Sequence, residues 1–134
     1  MATPDLELQG GIYALLTSDA ILKNEVSEGV YDAVPGEAVV PYVTLGEAQL
    51  IRSDATGLKS WGIYLTLHAW SREIGFVEVK TVAGCVVDAL HHADIPLTTY
   101  RLISINHQRT RTFRDPDEQT SHAVIEFVAF VEKL

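Results

Sequence analysis

The sequence offers almost nothing for covalent crosslinking. Cys85 is the one cysteine among 134 residues, so no intrachain disulfide can form. It lies in an apolar helical run, Val82-Ala83-Gly84-Cys85-Val86-Val87, and reads as a small buried hydrophobe. No stretch approaches the ~18 consecutive apolar residues of a membrane helix. The first residues, Met-Ala-Thr-Pro-Asp-Leu-Glu, lack a basic region followed by an apolar core, so no signal peptide is expected. The expectation is a soluble chain made in the cytoplasm, with no membrane partner. Positive charge is scarce: 10 Lys and Arg face 18 Asp and Glu, for a net charge of −8. An acidic surface repels phosphate, which argues against sequence-independent nucleic-acid binding.

Catalytic and cofactor motifs are also missing. Gly10-Gly11 falls inside a predicted helix rather than after a strand, so it is not a phosphate loop. There is no CxxC and no HExxH. His91 and His92 are adjacent on a predicted helix and point about 100° apart, so they do not easily share one metal ion. His107 and His122 fall on strands expected to pair, with Asp115 and Asp117 nearby. A metal or acid–base site is conceivable there, and a polar hairpin is the simpler reading. No cofactor is expected, and the chain does not read as an enzyme.

What is present is an ordinary globular composition, 47% hydrophobic and 21% charged. The length suits a single domain over residues 1–134, able to bury roughly two-thirds of its unfolded surface without disulfide or metal. Thr3-Pro4-Asp5 reads as a helix start, with Leu8, Ile12, Leu15 and Leu16 on one face. Gly10-Gly11 in that helix marks either close packing or a kink. Ser18 or Thr17 could cap a short turn through Ala20-Ile21-Leu22. Residues 27–41 are punctuated by Gly29, Pro35, Gly36 and Pro41 and read as irregular.

Two strands follow, Tyr42 to Arg52 and Trp61 to Trp70, joined by a polar loop over 53–60. The second alternates Trp61, Ile63, Leu65, Leu67 and Ala69 with Gly62, Tyr64, Thr66, His68 and Trp70. Ser71 is a plausible cap for an amphipathic helix carrying Phe76, Val79, Ala83, Val86 and Leu90, which runs to about His92. Tyr100 to Phe113 and His122 to Val131 form a second long hairpin around the turn Asp115-Pro116-Asp117-Glu118. The last strand is apolar on both faces, which predicts a central position. The expected fold is α+β: an antiparallel or mixed sheet built from two long hairpins, with helices packed on one face.

The distinctive chemistry sits at the hairpin tips. The first carries Arg52, Asp54, Lys59 and Trp61. The second carries Arg109, Arg111, Phe113, Arg114, Asp115, Asp117 and Glu118. Arginine and aromatics with a mixed-charge rim are an interface composition, and a solvated hairpin end is the bland alternative. Acidic and basic clusters on one small chain suit head-to-tail packing into a ring. Tyr64, His68, Thr66 and Trp70 could line a small-molecule pocket, or form a half-buried sheet face or an interface.

Several segments, taken in order, carry a resemblance. They are Asp5-Leu6-Glu7-Leu8-Gln9 and Leu15-Leu16, Val30-Tyr31-Asp32-Ala33-Val34-Pro35, and Pro41-Tyr42-Val43-Thr44-Leu45-Gly46. Then come Leu65-Thr66-Leu67-His68-Ala69-Trp70-Ser71, Val87-Asp88-Ala89-Leu90-His91, and Phe113-Arg114-Asp115-Pro116-Asp117 before His122-Ala123-Val124. Together they resemble the short tail-completion, or tail terminator, proteins of long-tailed phages and phage-derived gene transfer agents. The resemblance covers nearly the whole chain.

It implies a virion protein with a small ring-forming α+β fold and no catalytic residues. The implied homo-oligomer is a hexameric ring at the head-proximal end of the tail. Its implied partners are the major tail-tube protein, the head-tail connector protein and, transiently, DNA passing through the lumen. An acidic lumen would let DNA slide without adhering. A head-tail connector or tail-tube subunit is the alternative in the same particle, and a pocket-bearing domain around Tyr64, His68 and Trp70 the alternative outside it.

Overall fold

The structure is a computed structural model and describes residues 2–134. Its first helix, α1 (Pro4–Ser18), starts as its residue types dictate: the Thr3 hydroxyl accepts from the Leu6 N–H, Pro4 opens the helix, and Asp5 and Glu7 lie in the first turn. Leu8, Ile12 and Leu16 are its buried stripe. The glycine pair marks close packing, at one of its two positions. A Cβ on Gly11 would stand 2.4 Å from the Ile95 side chain, whereas one on Gly10 would meet nothing. Helix α2 (Ala20–Val26) is capped by Asp19, which accepts from the Leu22 N–H at 2.9 Å. Thr17 and Ser18, the expected caps, instead donate back to carbonyls of α1.

The segment expected to be irregular contains a short strand, β1 (Val30–Tyr31), parallel to β2 (Tyr42–Arg52). Two residues carry too little periodicity to announce a strand. The first long hairpin joins β2 to β3 (Ser60–Ser71), then comes α3 (Val77–Leu90), then the second hairpin of β4 (Tyr100–Arg114) and β5 (Ser121–Lys133). The sheet order is β1-β2-β3-β5-β4, so the most apolar strand, β5, is interior, between β3 and the edge strand β4. All pairings are antiparallel except β1 with β2, so the sheet is mixed.

Ser71 does not cap α3. It ends β3, and its hydroxyl donates to Glu78 at 2.6 Å while accepting from the Glu73 N–H. The helix begins six residues later than Ser71, at Val77, because Gly75 with φ +76° and the 72–76 loop intervene. At its other end the helix stops at Leu90. His92 turns left-handed and donates its N–H to the Ile105 carbonyl, and His91 accepts from the His107 N–H. The His91 imidazole and the His92 backbone thus tie the helix end to β4.

The helices cover one sheet face. Ile63, Leu65, Leu67 and Ala69 of β3 align with Ala129, Phe127, Ile125 and Ala123 of β5, and these join Leu8, Ile12, Val79, Val82, Val86 and Leu90 in one continuous core. Val124 and Val128 point to the other face and are also buried, roofed by neighbouring side chains rather than by a helix. That explains why β5 is apolar on both sides. The uncovered face is where the distinctive side chains lie.

Candidate functional site: hairpin ends and the open sheet face

Register places the two tips at opposite ends of the sheet. Trp61 lies across from Val131, while Ser71 lies across from Ser121. The first end is a turn in which Ala55 and Leu58 exchange hydrogen bonds around Gly57 at φ +72°. Arg52 reaches Asp54 at 3.1 Å and lies 5.0 Å above the Trp61 ring. Asp54 also accepts from the Ser60 N–H, and this bond, with Arg52 beside it, holds its carboxyl below the usual aspartate range. Trp61 itself is buried, edge-on to Tyr100. It supports the end rather than presenting itself. Lys59 is exposed, and its carbonyl accepts from the Lys133 N–H.

The second end is an ordered turn. Asp117 accepts from the N–H groups of Gln119 and Thr120 and from the Thr120 hydroxyl. Those bonds hold its carboxyl well down and fix the Asp115–Thr120 turn, with Glu118 left-handed at φ 61°. The Arg114 guanidinium lies 4.9 Å from the Phe76 ring at the approach to α3, and Arg111 lies 5.9 Å from the Phe113 ring. Arg109 pairs with Glu126 at 2.5 Å, which lowers the Glu126 carboxyl. Against this end sits the 72–76 loop, whose Ile74 is 100% exposed. Sequence reading passed over Ile74. Its signal is an isoleucine outside any periodic element, between polar neighbours and Gly75.

Next to the second end, on the open face, His68 and Trp70 come together without Tyr64. His68 Nδ1 is 2.7 Å from His122 Nε2, and Trp70 stacks on His122 at 3.7 Å. Phe113 closes the group from β4, with its ring 4.9 Å from His122. Trp70 donates to Thr44 at 3.1 Å, and Asp115 lies 3.4 Å from the far side of His122. Burial, with His68 beside it, pushes the His122 imidazole below its ordinary pKa. A Cβ on Gly46 would meet His68 Nε2 at 2.7 Å, so the ring's position requires glycine there.

Where a pocket was conceivable, His68 and Trp70 are therefore filled by packing against His122. Tyr64 lies elsewhere, in a shallow cleft with Glu47, Gln49, Gln108 and Glu126. His107 and His122 do not meet. His107 faces the helix side over Phe127 and bonds Thr110, while His122 faces the open side. Asp115 stays with His122, and Asp117 is occupied by its own turn. The site consists of surfaces rather than a cleft: two ordered, charged hairpin ends and an aromatic group between strands.

Residues 10–132 match the family described as tail completion protein gp17. The chain belongs to that family. Membership places it among phage tail components. Among solved structures, the chain is similar to one in a structure described as the virion of a native gene transfer agent (GTA) particle. The two share 29% identity with a TM-score of 0.89, over 94% of this chain and 95% of that one. The comparison with curated proteins finds no match.

Proposed function

We propose that this tail completion protein caps the head-proximal end of a phage-like tail tube. It does so as a homo-hexameric ring that terminates tube polymerisation, offers a surface to the head-tail connector and lets DNA pass through its lumen. The 134 residues act as one domain, a reading supported by the single sheet and its continuous core. The protein works by assembly rather than catalysis.

The observation that carries this reading is the placement of the hairpin ends. A ring that joins tube to head needs two distinct contact surfaces, and the two ordered tips lie at opposite ends of one sheet. Arg52, Asp54 and Lys59 form one, on the Trp61 platform. Phe113, Asp115 and Asp117 form the other, with Arg109, Arg111 and Arg114 on its flank facing a neighbouring subunit. Family membership and the likeness to a gene transfer agent virion chain support the same reading.

Purified protein added to polymerising tube subunits tests it. Capping predicts tubes whose growth stops as the protein is added. Incorporation along the tube wall would instead make it a tube subunit, and binding only to head portals would make it a connector. The lumen is expected to be acidic, and a basic lumen in a ring structure would sink that part.

A further inference from the structure

The sheet is electrically polarised from edge to edge, at one level along its strands. The pairing rows run Val30, Val43, Ala69, Ala123, Thr112 and Tyr31, Thr44, His68, Val124, Arg111. So β1 and the Arg111–Arg114 end of β4 occupy the same rows at opposite edges, about 19 Å apart at ~4.8 Å per strand. On the β4 edge, residues 100–114 contain Arg101, Arg109, Arg111 and Arg114 and no acidic residue. On the β1 edge, the flanking segments carry Glu25, Glu28, Asp32 and Glu37, all exposed and none in an ion pair among the described residues. Lys23 is the one cation between positions 19 and 41.

Within the chain, Glu132 and Glu126 already engage Arg101 and Arg109. That leaves Arg111, 3.9 Å from Glu126 with its side chain 53% exposed, and Arg114, which rests on Phe76. Of the acids around this end, Asp115 faces His122 and Asp117 closes its turn, while Glu73 and Glu118 line one cleft with Arg114 without an ion pair to it among the described residues. Glu118 remains exposed at the tip.

β4 is also a 15-residue edge strand, a feature that invites pairing with another chain. Two-fold pairing of β4 with β4 centred on its arginine-rich end would oppose Arg109 to Arg111, which disfavours that dimer. The complementary surface on this chain is the acidic β1 edge, and a contact between two different surfaces is heterologous, the kind that closes rings.

We propose that copies of this chain associate side by side, the Arg111–Arg114 end of β4 on one copy meeting Glu28 and Asp32 beside β1 on the next. This contact rests on the ring reading above and names the surfaces that build the ring. Because its charges are exposed, it weakens as salt rises.

Reciprocal charge reversal tests it. One variant carries Arg111→Glu and Arg114→Glu, the other Glu28→Lys and Asp32→Lys, with circular dichroism confirming that both fold. Sedimentation at low ionic strength and high protein concentration follows each alone and the two mixed. The expected result is self-association by the unaltered chain, loss by roughly tenfold or more in each variant, and recovery in the mixture, where every junction is again complementary.

Variants that associate like the unaltered chain, a mixture that stays monomeric, or an unaltered chain that is monomeric under these conditions would each overturn the contact. The outcome is separable from the terminator reading. Normal tails without the protein, alongside a mixture that assembles, would fault the terminator reading alone. Unterminated tails with a mixture that does not assemble would fault the contact alone.

Discussion

The two faces of the interior strand β5 both carry large apolar residues and are put to opposite use. Phe127, Ile125 and Ala129 face the helices and are almost wholly buried. Across the strand, Val124 and Val128 are buried beneath side chains of the sheet itself, and Phe130 is 39% exposed. One face is closed by the chain's own helices, and the other is closed only by ion pairs and stacked rings. Stability therefore concentrates on the covered side, and the open side and its ends are where the contacts proposed above lie.

The largest effect that would sharpen this contrast is at Phe127. Phe127→Ala is expected to cost about 3–5 kcal/mol in chemical denaturation, since a large side chain leaves a cavity in the covered core. A loss below about 1 kcal/mol would put the core elsewhere. Gly11→Ala should cost about 1–3 kcal/mol, because the added methyl overlaps the stiff, buried Ile95 side chain. A neutral or stabilising result would mean that α1 stands off from the 91–99 loop.

Acid should loosen the open face before the covered one. The His122 imidazole titrates below its unfolded value of about 6.5, so above that pH both states are neutral and nothing is gained or lost. As pH falls below it, the unfolded chain takes up the proton first, and stability declines until the folded pKa is passed. His68, Asp115 and Arg111 all face this ring, along with the Trp70 and Phe113 rings. Asp54, Asp117 and Glu126, held low by their hydrogen bonds, remove stability only below about pH 4, in the same direction. A His122→Gln variant that keeps the full decline as pH falls below about 6.5 would place its origin elsewhere.

Smallest of all in stability, and largest in assembly, are the exposed positions. Arg114→Glu and Ile74→Ser should each change unfolding free energy by less than about 0.5 kcal/mol. Arg114→Glu should nonetheless impair ring assembly. Folding loss, or assembly at the normal level, would remove Arg114 from the contact surface.

Much of this architecture is written in local pattern. The alternation through Trp61–Trp70, the helical spacing of Phe76–Leu90 and the two-sided apolarity of His122–Val131 each reflect which groups must leave water, and each element formed. What escaped depends on contacts between distant residues. β1 is held by pairing with Val43 and Thr44 rather than by its own composition. The start of α3 is delayed because Ser71 is drawn into β3 opposite Ser121.

Of the proposed contact residues, the tips were legible as arginine and aromatic clusters around turn residues. That Trp61 is buried beneath Arg52, and that His122 rather than Tyr64 completes the group with His68 and Trp70, follows from register. Strand pairing across 54 positions of sequence sets that register, and no spacing reveals it.

The most direct test of the account is to delete the gene and image the particles by electron microscopy. The account predicts overlong tails, or finished-looking tails detached from filled heads. Tails of normal length, attached to their heads, would contradict it.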